Sequence, residues 1–147
     1  MSDQHGHALK APSQVRRLLV QAGLRPTRQR LALGQLLFGG PHRHVTAERL
    51  QIEAAAEDIP VSLATIYNTL HQFTEAGLLR PVPVDGSKTY FDTNTGPHHH
   101  FYSERDGTII DVPHDQMEVI GVPDAPEGME ITRIEVVVRL REKSSRR

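Results

Sequence analysis

Residues 62–76, with the Asp85-Gly86 pair that follows them, constrain the fold of this chain more than any other stretch. Leu63, Ile66, Leu70 and Phe73 fall on one stripe at helical spacing, while Thr65, Asn68, Thr69 and Gln72 fall on the opposite face. Ser62 is placed to cap this helix and Gly77 to stop it. An exposed helix face usually carries Glu and Lys. This one is uncharged and hydrogen-bonding, which suits reading base edges and equally suits a plain solvated face. Asp85-Gly86 lies between two extended runs, and the two central positions of a tight hairpin turn favour positive φ, which Asp and Gly supply.

Three shorter helical patterns come first. The spacing predicts a helix over 13–22 with Val15, Leu18 and Leu19 inward, ended by Gly23. It predicts a second from a Thr27 cap to Phe38, burying Leu31, Leu36, Leu37 and Phe38 before Gly39-Gly40-Pro41 breaks it. A third, capped by Thr46, runs over 47–57 with Leu50, Ala54 and Ile52 inward. Four helices and a hairpin make a winged helix, in which the fourth helix enters the major groove of DNA and the hairpin lies along the backbone.

After residue 92 the pattern changes. Residues 93–97, Thr-Asn-Thr-Gly-Pro, read as a hinge. Residues 99–101 and 108–112 read as short strands joined at Arg105-Asp106-Gly107. Residues 114–120 make a short helix at best, 122–128 a loop, and 130–140 a long apolar strand. A piece of about fifty residues buries little surface alone, so pairing with a second copy, a homodimer, is expected. The expected organisation is α+β: a disordered tail over 1–12, a winged-helix DNA-binding domain over 13–92, a hinge over 93–97, a small α/β dimerisation and metal-sensing domain over 98–140, and a basic tail over 141–147. Charge divides the same way. Residues 1–90 hold ten Lys/Arg and seven Asp/Glu, a net +3, and residues 91–147 hold seven and eleven, a net −4. That asymmetry fits a nucleic-acid-binding module followed by a different one. No apolar run is long enough to span a bilayer and no signal peptide is evident, so a soluble cytoplasmic protein without membrane partners is expected.

His98-His99-His100 is the strongest chemical signal. Imidazole is the commonest protein ligand for zinc, copper, iron and nickel, and Asp92, Asp106 and Asp111 lie nearby in sequence. The chain has no cysteine, which excludes disulfides, thiolate zinc sites and cysteine nucleophiles. A His and Asp site suits Zn(II), Mn(II), Fe(II) or a haem iron; a solvated polar loop is the plainer alternative.

The stretches GLRPTRQR (23–30), HRHVTAE (42–48), VSLATIYNTL (61–70) and VDGSKTYFDTN (84–94), leading into the three histidines, resemble the ferric uptake regulator (Fur) superfamily over roughly residues 13–140. Within it the combination looks most like the iron response regulators, Irr, haem-responsive regulators of iron and haem genes. The resemblance implies a metal site at the domain junction formed by His44, Asp92, His98, His100 and Asp111, with Asp92 and Asp111 standing where relatives often carry glutamate. Residues 98 and 100, two apart on an extended segment, face one side together. Ser103 and Asp106 stand where many relatives carry a Cys-x-x-Cys pair, so no cysteine-bound structural zinc is expected. A second regulatory site through His99 and Glu118 is disfavoured by Pro97 and Ile134 at expected ligand positions. If haem binds, its axial ligand is an imidazole from His98, His99 or His100, with His5 and His7 as the weaker alternative.

The implied partner is a double-stranded DNA operator. Arg25 would enter a narrow minor groove. Arg28, Arg30 and Lys88 would bind phosphate. Ser62, Thr65, Tyr67 and Asn68 would lie at the reading end of the fourth helix, with Tyr67 on a thymine methyl or a phosphate and Asn68 on a base edge. The expected function is a dimeric transcriptional regulator of iron or haem homeostasis responding to haem or Fe(II). A Fur-type repressor dependent on divalent metal, with Mn(II) or Zn(II) as other occupants, is the alternative. A non-haem iron enzyme with two His and one carboxylate is the remote one.

Overall fold

The computed structural model describes residues 9–84 and 88–144. The Asp85-Gly86 turn, most of the N-terminal tail with His5 and His7, and the end of the basic tail lie outside the described residues. The chain divides between Thr95 and Gly96 into two compact units. Among the described residues no helix is long and apolar enough to cross a membrane.

The first unit contains α1 (Pro12–Gln21), α2 (Arg28–Phe38), β1 (His44–Val45), α3 (Ala47–Ala56), α4 (Leu63–Glu75), β2 (Arg80–Val82) and β3 (Tyr90–Asp92). Its helix starts are chemically explicit. The side chains of Thr27, Thr46 and Ser62 accept hydrogen bonds from the backbone amides of Arg30, Arg49 and Thr65, which have no partner within their own helices. Gly77 has φ of 82° where α4 stops, and the Leu78 amide returns to the Phe73 carbonyl at 2.9 Å. Beyond it β2 and β3 pair antiparallel, Arg80 opposite Asp92 and Val82 opposite Tyr90, and β1 joins the other edge of β3. Four helices with a hairpin form the expected winged helix.

Leu19, Leu33, Leu37, Leu50, Ile66, Leu70, Phe73 and Phe91 make the core, with Phe38 and Phe73 rings 5.6 Å apart. Three expectations change. Leu33, absent from the expected apolar face of α2, is fully buried, and Leu31 and Leu36 are only partly so. Ile52 is 61% exposed, on the side of α3 away from Leu50 and Ala54. Thr69, expected on the open face of α4, is buried; its hydroxyl donates to the Thr65 carbonyl at 3.0 Å, so the polar atom is satisfied within its own helix while its methyl packs as an apolar group. Gly34 sits in mid-helix because α1 crosses there: a Cβ at this position would lie 3.2 Å from Val15 Cγ1.

The second unit holds β4 (His98–Ser103), β5 (Ile109–Pro113), a single 3₁₀ turn (His114–Gln116) and β6 (Val137–Leu140), in sheet order β5-β4-β6. The β4–β5 connection turns at Gly107 with φ of 71°. The helix expected over 114–120 is only that 3₁₀ turn, and the strand expected over 130–140 is confined to its last four residues. The reason is ladder length. β6 runs parallel to β4 from His100 opposite Val137, with the Val136 carbonyl accepting from the His100 amide at 3.0 Å. Upstream, β4 ends at Pro97, which has no amide to offer. Residues 130–135 therefore alternate without a strand to pair with. Ile110, Val119, Ile120, Val122, Met129, Ile131 and Ile134 are each at least 40% exposed, so this unit carries much of its apolar surface outside.

Candidate metal centre and nucleic-acid face

Among the described residues, imidazole and carboxylate meet at His44 and Asp92 in the first unit and at His98, His100 and Asp111 in the second. In the first, β1 exists because the two-residue extension before the Thr46 cap pairs with β3, which puts His44 directly opposite Asp92. His44 Nε2 lies 3.1 Å from Asp92 Oδ2. The Asp92 carboxylate is fully buried, and its Oδ1 accepts the Asn94 amide at 2.8 Å. Flanking contacts hold the strand ends. The Arg43 amide donates to Thr93 Oγ1 at 2.8 Å, and the Thr93 amide donates to the Arg43 carbonyl at 3.0 Å. Thr93, which composition assigned to the hinge, is thus buried and belongs to the first unit.

Arg43 also clamps α3. Its NH1 and NH2 donate to the two oxygens of Glu53, both at 2.7 Å, and Arg49 Nε adds a bond to Glu53 Oε2 at 3.1 Å. The Arg43 guanidinium holds the Glu53 carboxyl below its ordinary range. This brace, adjacent to His44, was not anticipated. Its signal was an Arg and a Glu ten apart, across a helix start, which no local pattern marks.

In the second unit the three histidines are separated by the alternation of β4. All are buried, at 1–7% exposure. The rings of His98 and His100 lie 4.5 Å apart, and their Nε2 atoms lie 3.4 and 3.7 Å from Asp111 Oδ1, on the neighbouring strand opposite His100. His98 Nδ1 is 2.7 Å from the Gly96 carbonyl. A carbonyl only accepts, so Nδ1 carries a proton, and Nε2 is the ring nitrogen turned toward Asp111. A metal-ligating imidazole is usually fixed in this way, with a carbonyl behind one ring nitrogen and the other turned to the site. His99 does the reverse. Its Nδ1 accepts the Val136 amide at 3.0 Å, tying β4 to the segment leading into β6. Its lone pair is spent on structure, which argues against both the His99–Glu118 site and an axial role for His99. At the β4–β5 turn, Asp106 Oδ1 accepts the Thr108 amide at 3.0 Å, a bond that holds its carboxyl below the usual range.

The nucleic-acid residues converge in part. Arg25, Arg30, Thr65 and Asn68 line one depression of about 410 Å³ together with Thr27, Gln29, Thr69 and Gln72. Arg25, Arg28, Asn68 and Lys88 are exposed. Arg30 is engaged within the protein: its Nε and NH2 donate to Gln72 Oε1 at 3.3 and 3.0 Å, and its NH1 donates to the Arg25 carbonyl at 2.9 Å, bridging α2 and α4. Ser62 is occupied as a cap and donates to Thr65 Oγ1 at 2.9 Å. Tyr67 reaches α3. Its hydroxyl donates to Glu48 Oε1 on α3 at 2.9 Å, which raises the phenol above its usual range because ionisation would forfeit that bond.

The family model described as the ferric uptake regulator family matches residues 21–139. The chain is 38% identical over 103 residues to the peroxide-responsive repressor PerR of Staphylococcus aureus strain Mu50, covering 69% of this chain and 68% of that protein. Among solved structures it is similar to the ferric uptake regulator of Pseudomonas aeruginosa with manganese, at 28% identity and a TM-score of 0.66, covering 87% of this chain and 97% of that one. The ferric uptake regulator of Vibrio cholerae gives the same TM-score at 22% identity over 85% and 97% of the two chains, a likeness of fold. A match through both units, from the end of α1 into β6, and an α+β architecture of winged helix followed by a small dimerisation domain lead to one assignment. The chain belongs to the ferric uptake regulator family, whose members are metal-responsive, dimeric, DNA-binding transcription regulators and not enzymes.

Proposed function

We propose that this chain is a cytoplasmic, homodimeric repressor of iron or haem homeostasis whose grip on a double-stranded operator is set by one divalent ion. The ligands are His44 and Asp92 from the first unit and His98, His100 and Asp111 from the second. The observation that carries this reading is the convergence of two imidazoles on one carboxylate: Nε2 of His98 and of His100 lie 3.4 and 3.7 Å from Asp111 Oδ1, while the Gly96 carbonyl accepts from His98 Nδ1 behind. Three imidazoles and two carboxylates, with no thiolate, form a donor set for Fe(II), Mn(II) or Zn(II). The ion supplies a positive charge that both clusters share. Because its ligands come from two units, it favours the one arrangement of them in which all five reach it, and that preference alone can move a DNA-binding equilibrium.

A small ion fits these residues better than haem. Two imidazoles 4.5 Å apart on one strand converge on a carboxylate, whereas a porphyrin needs one imidazole facing an open apolar slot. The buried ring nitrogens of His98 and His100 face Asp111 instead. Dimer formation is supported by the number of large apolar side chains left exposed on the second unit, Ile120 and Met129 most of all. Arg25, Arg28, Lys88, Thr65, Tyr67 and Asn68 are the proposed DNA contacts, with Arg30 and Ser62 supporting them.

The test is fluorescence anisotropy with the tightest duplex selected from a randomised library. Apo-protein is titrated with Fe(II), Mn(II), Zn(II) and, separately, haem. The reading predicts affinity that rises with a divalent ion and is lost in His98→Ala/His100→Ala. Affinity indifferent to each divalent ion but weakened by haem would replace it with haem control.

A further inference from the structure

We propose that Glu48, outside the recognition helix, is a specificity-determining positioning residue: its carboxylate accepts a hydrogen bond from the Tyr67 hydroxyl and fixes the phenol ring on the DNA-reading face of α4. The inference rests on the reading of α4 as the recognition helix and adds to it a residue of α3 that no base need touch.

Tyr67 is held at two points. At its tip, the hydroxyl donates to Glu48 Oε1 at 2.9 Å. Beside it, the His71 ring stacks one turn along the same helix, with centroids 6.3 Å apart and planes 24° apart. A ring so held loses little rotamer freedom on binding, which lowers the cost of any contact made in that one orientation. The chemistry of its tip is also decided. A phenol contacts phosphate by donating its proton, and here that proton is committed to a carboxylate. An anion beside the hydroxyl repels a phosphate oxygen as well. What remains to present is the apolar edge of the ring, suited to a base methyl group. Of the two roles open to Tyr67, Glu48 selects base contact over backbone contact. The phenol's raised ionisation range agrees with a proton held in place. Glu48 also lies in the first turn of α3, where its charge suits the helix dipole. That second role contributes to stability, and the experiment has to separate the two.

Glu48→Ala, Glu48→Gln, Tyr67→Phe and Glu48→Ala/Tyr67→Phe are compared with wild type, each metal-loaded, by anisotropy on the selected duplex and on a scrambled one. Thermal unfolding of each variant reports the helix-dipole contribution separately. Glu48→Gln keeps an oxygen able to accept the hydroxyl proton and removes the charge. The expected result is a specificity ratio lowered about tenfold in Glu48→Ala and in Tyr67→Phe, one good base contact's worth. The double variant falls no further, and Glu48→Gln stays within about twofold of wild type. Uracil in place of thymine, which removes the methyl, should weaken wild type more than Glu48→Ala. Glu48→Ala with an unchanged ratio overturns the inference. So do Glu48→Ala and Glu48→Gln that strengthen binding equally on both duplexes, since that is charge repulsion without positioning. Wild type with no preference between the duplexes would instead remove the recognition-helix reading, and this inference with it.

Discussion

Glu53→Ala tests how the His44–Asp92 pair of the proposed metal site is held. The substitution removes a carboxylate that receives both Arg43 nitrogens at 2.7 Å and the Arg49 Nε at 3.1 Å. The Arg43 and Glu53 side chains are 29% and 22% exposed, so the pair lies between two regimes. An open surface pair is worth about 1 kcal/mol or less, while breaking a fully buried one costs about 3–5 kcal/mol. Bidentate geometry and partial burial place the loss at about 2 kcal/mol. In a domain of this size that lowers the unfolding midpoint by about 8–16 °C. Because Arg43 adjoins His44, metal affinity should fall as well, by about tenfold, the lower end of what loss of an outer support costs. The assay is a double-mutant cycle of Arg43→Ala and Glu53→Ala, followed by thermal unfolding and by metal titration. The pH dependence has a definite sign. Arg43 holds the Glu53 carboxyl below its unfolded value of about 4.3. The pair's contribution is therefore complete above that value and is lost as pH falls through the lower folded one, so the advantage of wild type over Glu53→Ala narrows in acid and not in alkali. A coupling energy under about 0.5 kcal/mol, or metal affinity unchanged in both single variants, would refute the brace.

Three further outcomes are expected. Ile120→Asp with Ile131→Asp should shift sedimentation from dimer to monomer while leaving the circular dichroism of the helices intact; a variant that stays dimeric removes those residues from the interface. Gly107→Ala forces a left-handed conformation on a side chain at φ of 71° and should cost about 1 kcal/mol in urea unfolding, an unchanged midpoint arguing against the turn. Leu70→Ala, at the centre of the core, should cost about 2–5 kcal/mol, and a loss below 1 kcal/mol would mean the site collapses around the deletion.

Much of this was written locally. Thr27, Thr46 and Ser62 announce three helix starts, and Gly77 announces a stop, because capping is a contest among neighbours within four residues. The alternation of β4 separated His98 and His100 from His99 in advance, since side chains two apart share a face. What escaped depends on partners distant in sequence. Nothing near Glu53 says that Arg43 will reach it. Alternation over 130–136 encodes two faces and no pairing partner, so it overstated a strand that has four residues of ladder. Thr69 looked solvent-facing by polarity, but a hydroxyl that bonds its own helix can be buried at little cost. His99 was named as a haem ligand through the family resemblance; only the structure shows that its Nδ1 accepts the Val136 amide.

Metal stoichiometry in wild type, His44→Ala and His98→Ala/His100→Ala, by titration with Mn(II) and Zn(II) and elemental analysis of the purified proteins, bears on the account most directly. One ion held by ligands from both units predicts one tight site per chain that disappears in His44→Ala as fully as in the double variant, with metal-dependent DNA binding lost in both. A His44→Ala protein that keeps wild-type stoichiometry and affinity would contradict the shared ion and confine any metal to the second unit.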